Sequence, residues 1–323
     1  MPVPTLVELP PWFLLGFALA FGLIWGSFLN VVIYRVPRGQ SILRPASRCP
    51  HCETPIRPWN NIPVVSWLLL RGRAACCGAA IPIRYPLVEA AGGLLALALV
   101  QTVLRPMAPD TPLWLGALTF CTYFALGLVS IAVAFIDLDH LYIPDSMSLG
   151  AIVVGLASFS LRPPLTFTES LAASIAGFVV VWLVFGVLYR AIRGRTGMGL
   201  GDAKLLAVAG AWFGWKGMFF ALLGGSVQGT LAAVVVLLVR GRLEEPEAVQ
   251  REREELLAAV AAIEDPVERQ QAEQELQKDP IFEPSAGGAG ARIPFGPFLA
   301  LAIIEYMLVG EALLSQYMAW LAP

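Results

Sequence analysis

An all-α, polytopic membrane fold is predicted by three observations: 57% of the residues are hydrophobic and 14% charged, the mean hydropathy is +0.69, and the apolar residues gather in long runs. A single soluble globule carries far more charge than this. About eight transmembrane helices are expected, at 12–34, 86–104, 113–136, 146–161, 171–188, 203–216, 218–239 and 295–317. The fourth and sixth are short for a hydrocarbon core of about 30 Å. The chain divides into a first transmembrane helix (1–34), a small cysteine-containing cytoplasmic domain (35–86), a membrane core (87–239), an acidic cytoplasmic insertion with a linker (240–292) and a last transmembrane helix (293–323).

The basic residues set the expected orientation, because Lys and Arg collect in cytoplasmic loops. Eight arginines lie between Arg35 and Arg84, three arginines and a lysine between Arg190 and Lys204, and seven basic residues between Arg240 and Arg292. Only Arg105, Arg162 and Lys216 fall on the other side. Both termini are then outside and the three basic loops inside. No Lys or Arg precedes Arg35, so the first apolar run lacks the positive flank of a cleavable signal and is expected to stay as an anchor. The net charge of -2 averages an insertion holding 13 of the 24 acidic residues with a remainder that is net basic. Nothing points to nucleic acid; the lipid bilayer is the evident partner.

The first helix ends in Gly26-Ser27-Phe28-Leu29-Asn30. Its small residues allow close helix packing, and Asn30 wants a polar partner. Four of the five cysteines, Cys49, Cys52, Cys76 and Cys77, fall in the fifty-odd residues that follow. In a reducing cytoplasm they read as thiolate metal ligands rather than disulfides, and a unit this small gains from a structural zinc. His51 is a weaker candidate ligand, and Cys121, inside the third helix, reads as a small core hydrophobe. Glu89, just inside the second helix, reads as a buried hydrogen-bonding partner.

Carboxylates at membrane depth are functional candidates. Phe135-Ile136-Asp137-Leu138-Asp139-His140-Leu141-Tyr142-Ile143-Pro144-Asp145 closes the third helix, and Gly197-Met198-Gly199-Leu200-Gly201-Asp202-Ala203-Lys204 opens the sixth. At about 1.5 Å per residue the run from Asp202 to Trp215 spans roughly 21 Å, so its start lies beneath the surface. The positive-inside assignment puts both acidic stretches on the same face. Asp145 occupies an N-cap position, Asp139 reads as a solvated charge, and Asp137 and Asp202 are the candidate pair. Two aspartates in one partly dry site divide their roles: one ionised carboxylate takes a proton from water, and one protonated carboxyl polarises a peptide carbonyl. Gly199 and Gly201 leave room for an extended substrate backbone. Lys204 either attracts a substrate carboxylate, acts on Asp202 or snorkels to the interface. In the insertion, Leu256, Leu257, Val260, Ile263 and Val267 recur at helical spacing, predicting amphipathic helices interrupted at Pro266, and 280–291 reads as a linker. Glu305 in the last helix has no motif to explain it.

These stretches resemble the type IV prepilin peptidases, a family of GxGD membrane aspartic proteases. Asp137 seven residues before Pro144, the Gly199-Leu200-Gly201-Asp202 turn, the end of the first helix, Ser47-Arg48-Cys49-Pro50-His51-Cys52, Ile83-Arg84-Tyr85-Pro86-Leu87-Val88-Glu89 and Ile293-Pro294-Phe295-Gly296 carry the likeness over nearly the whole chain. The resemblance implies leader-peptide cleavage of prepilins or pseudopilins at the cytoplasmic face of a bacterial inner membrane by Asp137 and Asp202. It also implies methylation of the new amino terminus by S-adenosylmethionine, for which the residues themselves show no glycine-rich nucleotide loop. Many family members have two C-x-x-C pairs; here alanine, Ala74, stands where the third cysteine is expected, leaving Cys49, Cys52 and Cys77 by position and Cys76 as a candidate fourth ligand. The alternatives are a peptidase that has lost methyl transfer and, from another class, a cation transporter using the same carboxylates.

Overall fold

The computed structural model describes residues 4–193, 199–241, 247–263, 265–276 and 294–321. Gly197 and Met198 of the glycine-rich turn and the expected linker at 280–291 lie outside them. The described chain is helical: α1 (Pro11–Arg35), a short α2 (Val65–Leu69), α3 (Arg84–Leu104), α4 (Leu113–His140), α5 (Asp145–Ala157), α6 (Phe167–Ile192), α7 (Leu200–Arg240), α8 (Glu247–Ala261), α9 (Pro266–Leu276) and α10 (Gly296–Trp320). Six of these, α1, α3, α4, α6, α7 and α10, are long and apolar enough to cross a membrane. The protein is an all-α, multi-pass membrane protein.

The eight expected apolar segments map onto seven elements. At 13 residues, α5 is the shortest of them. The sixth and seventh segments are two arms of α7 that part at Gly214 (φ 62, ψ −154), rather than near Gly217. That left-handed φ suits glycine, and a Cβ there would fall 2.6 Å from Glu169 Oε1. The arms double back: the second passes α10 in the antiparallel sense, with Gly229 beside Phe298, Gly224 beside Ala302 and Phe220 against Tyr306, while Phe213 of the first arm meets the same Tyr306. Both ends of α7 therefore return to one side of the bundle.

Small residues bring the helices together where the sequence places them. In α1, Ala18, Gly22 and Gly26 form a buried stripe, and a Cβ on Gly22 would lie 2.8 Å from Gly93 Cα of α3. Such contact gains packing where lipid offers no hydrophobic drive. Asn30 finds its partner one helix away, donating from Nδ2 to Tyr85 O at 3.1 Å. Glu89 is the hydrogen-bonding partner the sequence suggested, though half-buried rather than buried: its Oε2 receives Val64 N–H at 2.6 Å, fastening the cysteine-bearing segment to α3. Trp67 Nε1 adds a bond to Ile81 O at 3.0 Å. The α6–α7 contact is as close, with Gly177 against Leu206 O and Gly210 against Ser174 N.

Three expectations are corrected. Cys121 is exposed, on the surface of a membrane helix rather than in the core; hydropathy does not separate a lipid-facing position from a buried one. Asp145 is not the N-cap of α5: Pro144 takes that place with extended backbone, leaving Asp145 as the first helical residue. Its carboxylate pairs with Lys204, which is thereby a strut between α5 and α7. Asp139 is not a free solvated charge but pairs with Arg84 at 2.5 Å. Glu305, unexplained by sequence, accepts from Gln228 Nε2 at 2.6 Å, joining α10 to the second arm of α7. In the insertion, α8 and α9 are helices separated before Pro266 as expected, with Leu256 and Val260 half-buried, Leu257 exposed, and α8 touching α4.

Candidate active site

Asp137 lies one turn from the end of α4, where Leu141 adopts a left-handed conformation (φ 50) and its N–H closes on Asp137 O at 2.9 Å. Asp202 lies in the first turn of α7, after the extended Gly199. Both are buried, 6% and 9% exposed, and Ile143 Cδ1 packs both on Gly201, next to Asp202, and on Gly296, which abuts Asp137. The two aspartates singled out by sequence are thus together, although 65 positions separate them.

Two residues without an assigned role in the sequence reading join them. Ile143, in the turn after α4, fits against Gly201, where a Cβ would stand 2.9 Å from Ile143 Cδ1. Gly296, the first residue of α10, fits against Asp137: a Cβ there would stand 2.6 Å from Asp137 Oδ2 and 3.0 Å from Ile143 Cδ1. Beneath this group Val133, Ile143, Leu205 and Leu299 form a small buried cluster of their own. Three of these sit about one turn deeper than Asp137, Asp202 and Gly296, so one apolar plug seats all three helices of the site. Asp202 lies in the first turn of its own helix, and Asp137 lies against the first residue of α10. Free N–H groups there favour negative charge.

The roles expected of the two glycines divide. Gly201 is required by its packing on Ile143. Among the described residues, a Cβ on Gly199 would meet nothing nearer than Asp202 Oδ2 and Gly201 N at 3.9 Å.

The four cysteines form a second cluster, their sulfurs within 4.8 Å of one another. Two similar turns present them. In the first, Glu53 N–H bonds back to Cys49 O at 2.9 Å with Glu53 at φ 55; in the second, Gly78 N–H bonds back to Ala74 O at 2.8 Å with Gly78 at φ 72. By this pattern Cys52 corresponds to Cys77 and Cys49 to Ala74. Cys76 fills the gap from one side, its sulfur 3.3 Å from Cys52 Sγ and 3.9 Å from Cys77 Sγ, with Cys49 and Cys77 3.7 Å apart. Thiolates around a tetrahedral zinc, at about 2.3 Å each, stand about 3.8 Å apart, so the donor set fits that ion. The Thr54 hydroxyl beside Cys52 holds its thiol down at about 6, and the bond to Cys52 pushes Cys76 up to about 12.

For a methyl donor the described residues show less. Two surface grooves, of 460 and 380 Å³, run along the membrane helices, one past Phe220 and Gln228, the other past Leu149, Phe178 and Lys204. Both are lined chiefly by apolar side chains, without the convergent polar groups that fix a nucleoside.

A multi-pass bundle holding two buried carboxylates at the ends of its helices defines the class, a membrane protein with the site of an intramembrane acid pair. The family described as "Bacterial Peptidase A24 N-terminal domain" matches residues 20–103, which include all four clustered cysteines, and the "Type IV leader peptidase family" matches 124–234, which include Asp137, Gly199, Gly201 and Asp202. The chain is 32% identical to a prepilin leader peptidase/N-methyltransferase of Stutzerimonas stutzeri, over 98% of each chain. It is 38% identical to one of Neisseria gonorrhoeae, over 71% of this chain and 85% of that one, and 34% identical to one of Myxococcus xanthus, over 91% and 90%. No solved structure matches. The chain belongs to the type IV leader peptidase family.

Proposed function

We propose that the protein is a membrane aspartic endopeptidase that removes the leader from prepilin-like proteins at the cytoplasmic face of a bacterial inner membrane, and that it methylates the new amino terminus. The observation that carries the peptidase reading is the meeting of Asp137 and Asp202 in one buried site closed by Ile143 and Gly296. The ionised carboxylate draws a proton from the attacking water while the protonated one donates to the scissile carbonyl; the proton then passes to the leaving amine. Backbone access to the pair runs past Gly199. Methyl transfer from S-adenosylmethionine rests on the relatives' names, and no step of it is placed on particular side chains. The positive-inside pattern supports a cytoplasmic location for the dyad and external termini.

Incubating the purified protein with a prepilin and S-adenosylmethionine and weighing the products tests both halves. Loss of the leader together with a gain of one methyl group on the mature chain is expected. An intact prepilin overturns the peptidase, and cleavage without methyl gain leaves a peptidase alone.

Cys49, Cys52, Cys76 and Cys77 would hold a structural zinc, which supplies cross-linking to a segment otherwise built on turns. The protein as purified is expected to carry about one zinc per chain. Cys76→Ser should lose it, and Cys76→Ser combined with Ala74→Cys should regain it, since Ala74 is the counterpart of Cys49 in the second turn. Elemental analysis and alkylation of metal-stripped protein provide the readout, with Cys52 the fastest thiol to react near pH 7. Full zinc content in Cys76→Ser would remove that residue from the ligand set.

A further inference from the structure

Arg84 opens α3 inside the stretch matched by the N-terminal domain family, and its side chain crosses to α4 inside the stretch matched by the leader peptidase family. There its Nη1 bonds Asp139 Oδ2 at 2.5 Å and its guanidinium carbon stands 4.7 Å from the centre of the Phe135 ring. Phe135 and Asp139 are four residues apart and share one face of the helix. Asp137 lies midway between them, two residues and about 200° from each at 3.6 residues per turn, and so points the other way. One planar cation therefore grips the back of the turn whose front carries a dyad carboxylate. The grip is costly to set up: Arg84 Nη2 is buried with no hydrogen-bond partner among the described residues. A charge retained only for solubility would turn that donor to water.

The other aspartate has a similar strut. Lys204, two residues past Asp202, pairs with Asp145, so the segment from Asp137 to Asp145 is held by an ion pair at each end. The two pairs differ in where they reach. Lys204 joins helices of the peptidase stretch to each other, whereas Arg84 comes from the cysteine-bearing segment's own exit, five residues before Glu89, which fastens that segment to α3.

We infer that Arg84 is a positioning residue for the peptidase: by clasping Phe135 and Asp139 it fixes the last turn of α4, and with it the angle at which Asp137 faces Asp202, so the N-terminal domain sets the geometry of cleavage. This rests on the peptidase reading above. A fork that both stacks on a ring and bonds a carboxylate is a task for arginine; lysine keeps the charge but loses the plane.

The test uses the full-length enzyme and a prepilin, comparing the parent with Arg84→Gln, Arg84→Lys, Asp139→Asn and the double variant Arg84→Gln/Asp139→Asn, with thermal unfolding measured on each. Arg84→Gln and Asp139→Asn are each expected to lower kcat about tenfold with KM unchanged, as small misplacements of reacting groups do. Arg84→Lys should recover part of the loss, and the double variant should be no slower than the slower single one, since both remove the same contact. A kcat for Arg84→Gln within about twofold of the parent per folded molecule, or losses that multiply in the double variant, overturns the inference. If Arg84→Gln does not fold, Arg84→Lys and Asp139→Asn decide by the same kcat criterion. A parent that does not cleave, or an Asp137→Asn variant that still does, fails the peptidase reading instead; a cleaving parent with an equally fast Arg84→Gln fails only the positioning role.

Discussion

Replacing Asp137 or Asp202 with asparagine is expected to lower the rate of leader cleavage at least ~10³-fold while leaving the protein folded, because general acid–base catalysis alone contributes about 10²–10⁴-fold. Asparagine keeps the shape of the side chain in both buried positions. What it cannot do is cycle a proton. A dyad acts as a unit, so the two single variants and the double variant should fall to one common floor rather than multiply. Multiplying losses would mean that the aspartates work independently, and residual cleavage above a tenth of the parent rate in either variant would remove that residue from the chemistry. The same experiment separates the enzyme from a cation transporter built on the same residues, which would lose flux on Asp137→Asn and show no cleavage in the parent.

How far this site was legible in the sequence follows from the kind of information each part requires. Asp137 and Asp202 were found because a charge in an apolar run is conspicuous, and because charge bias placed both on one face before any contact was known. Asn30 and Glu89 were legible for the same reason: an amide or carboxylate in a membrane helix needs a partner, and one is there. Ile143 and Gly296 were not assigned a role. Their importance comes from contacts across 58 and 159 positions, with Gly201 and Asp137, which no local period reports. The break in α7 was placed a few residues late because Gly210, Gly214 and Gly217 look alike in sequence, and only Gly214 takes a positive φ. Ion pairs were the least legible. The sequence gives Asp139 to water and Asp145 to a helix cap, and only the approach of Arg84 and Lys204 shows that both are struts.

Gly296 carries the second large effect. Its replacement by alanine adds one methyl group at a point 2.6 Å from Asp137 Oδ2, closer than Cβ atoms stand to other atoms, and 3.0 Å from Ile143 Cδ1, so either the carboxylate rotates or the start of α10 retreats. Retreat is opposed by Leu299, one turn on and fully buried with Val133 and Leu205; rotation of Asp137 is the cheaper response. A displacement of about 1 Å in a reacting group costs on the order of 10²-fold in rate, so Gly296→Ala should lower kcat by about that factor with little change in KM. Gly199→Ala makes the contrasting case. Its added methyl group lies 3.9 Å from Asp202 Oδ2 with nothing nearer among the described residues, so Asp202 is undisturbed by it, and the penalty should fall on substrate approach, raising KM. Steady-state kinetics of the two variants on one prepilin separates the effects. A Gly296→Ala enzyme with kcat within about twofold of the parent would mean that Asp137 has freedom the packed site denies it, and that the first turn of α10 does not seat the dyad.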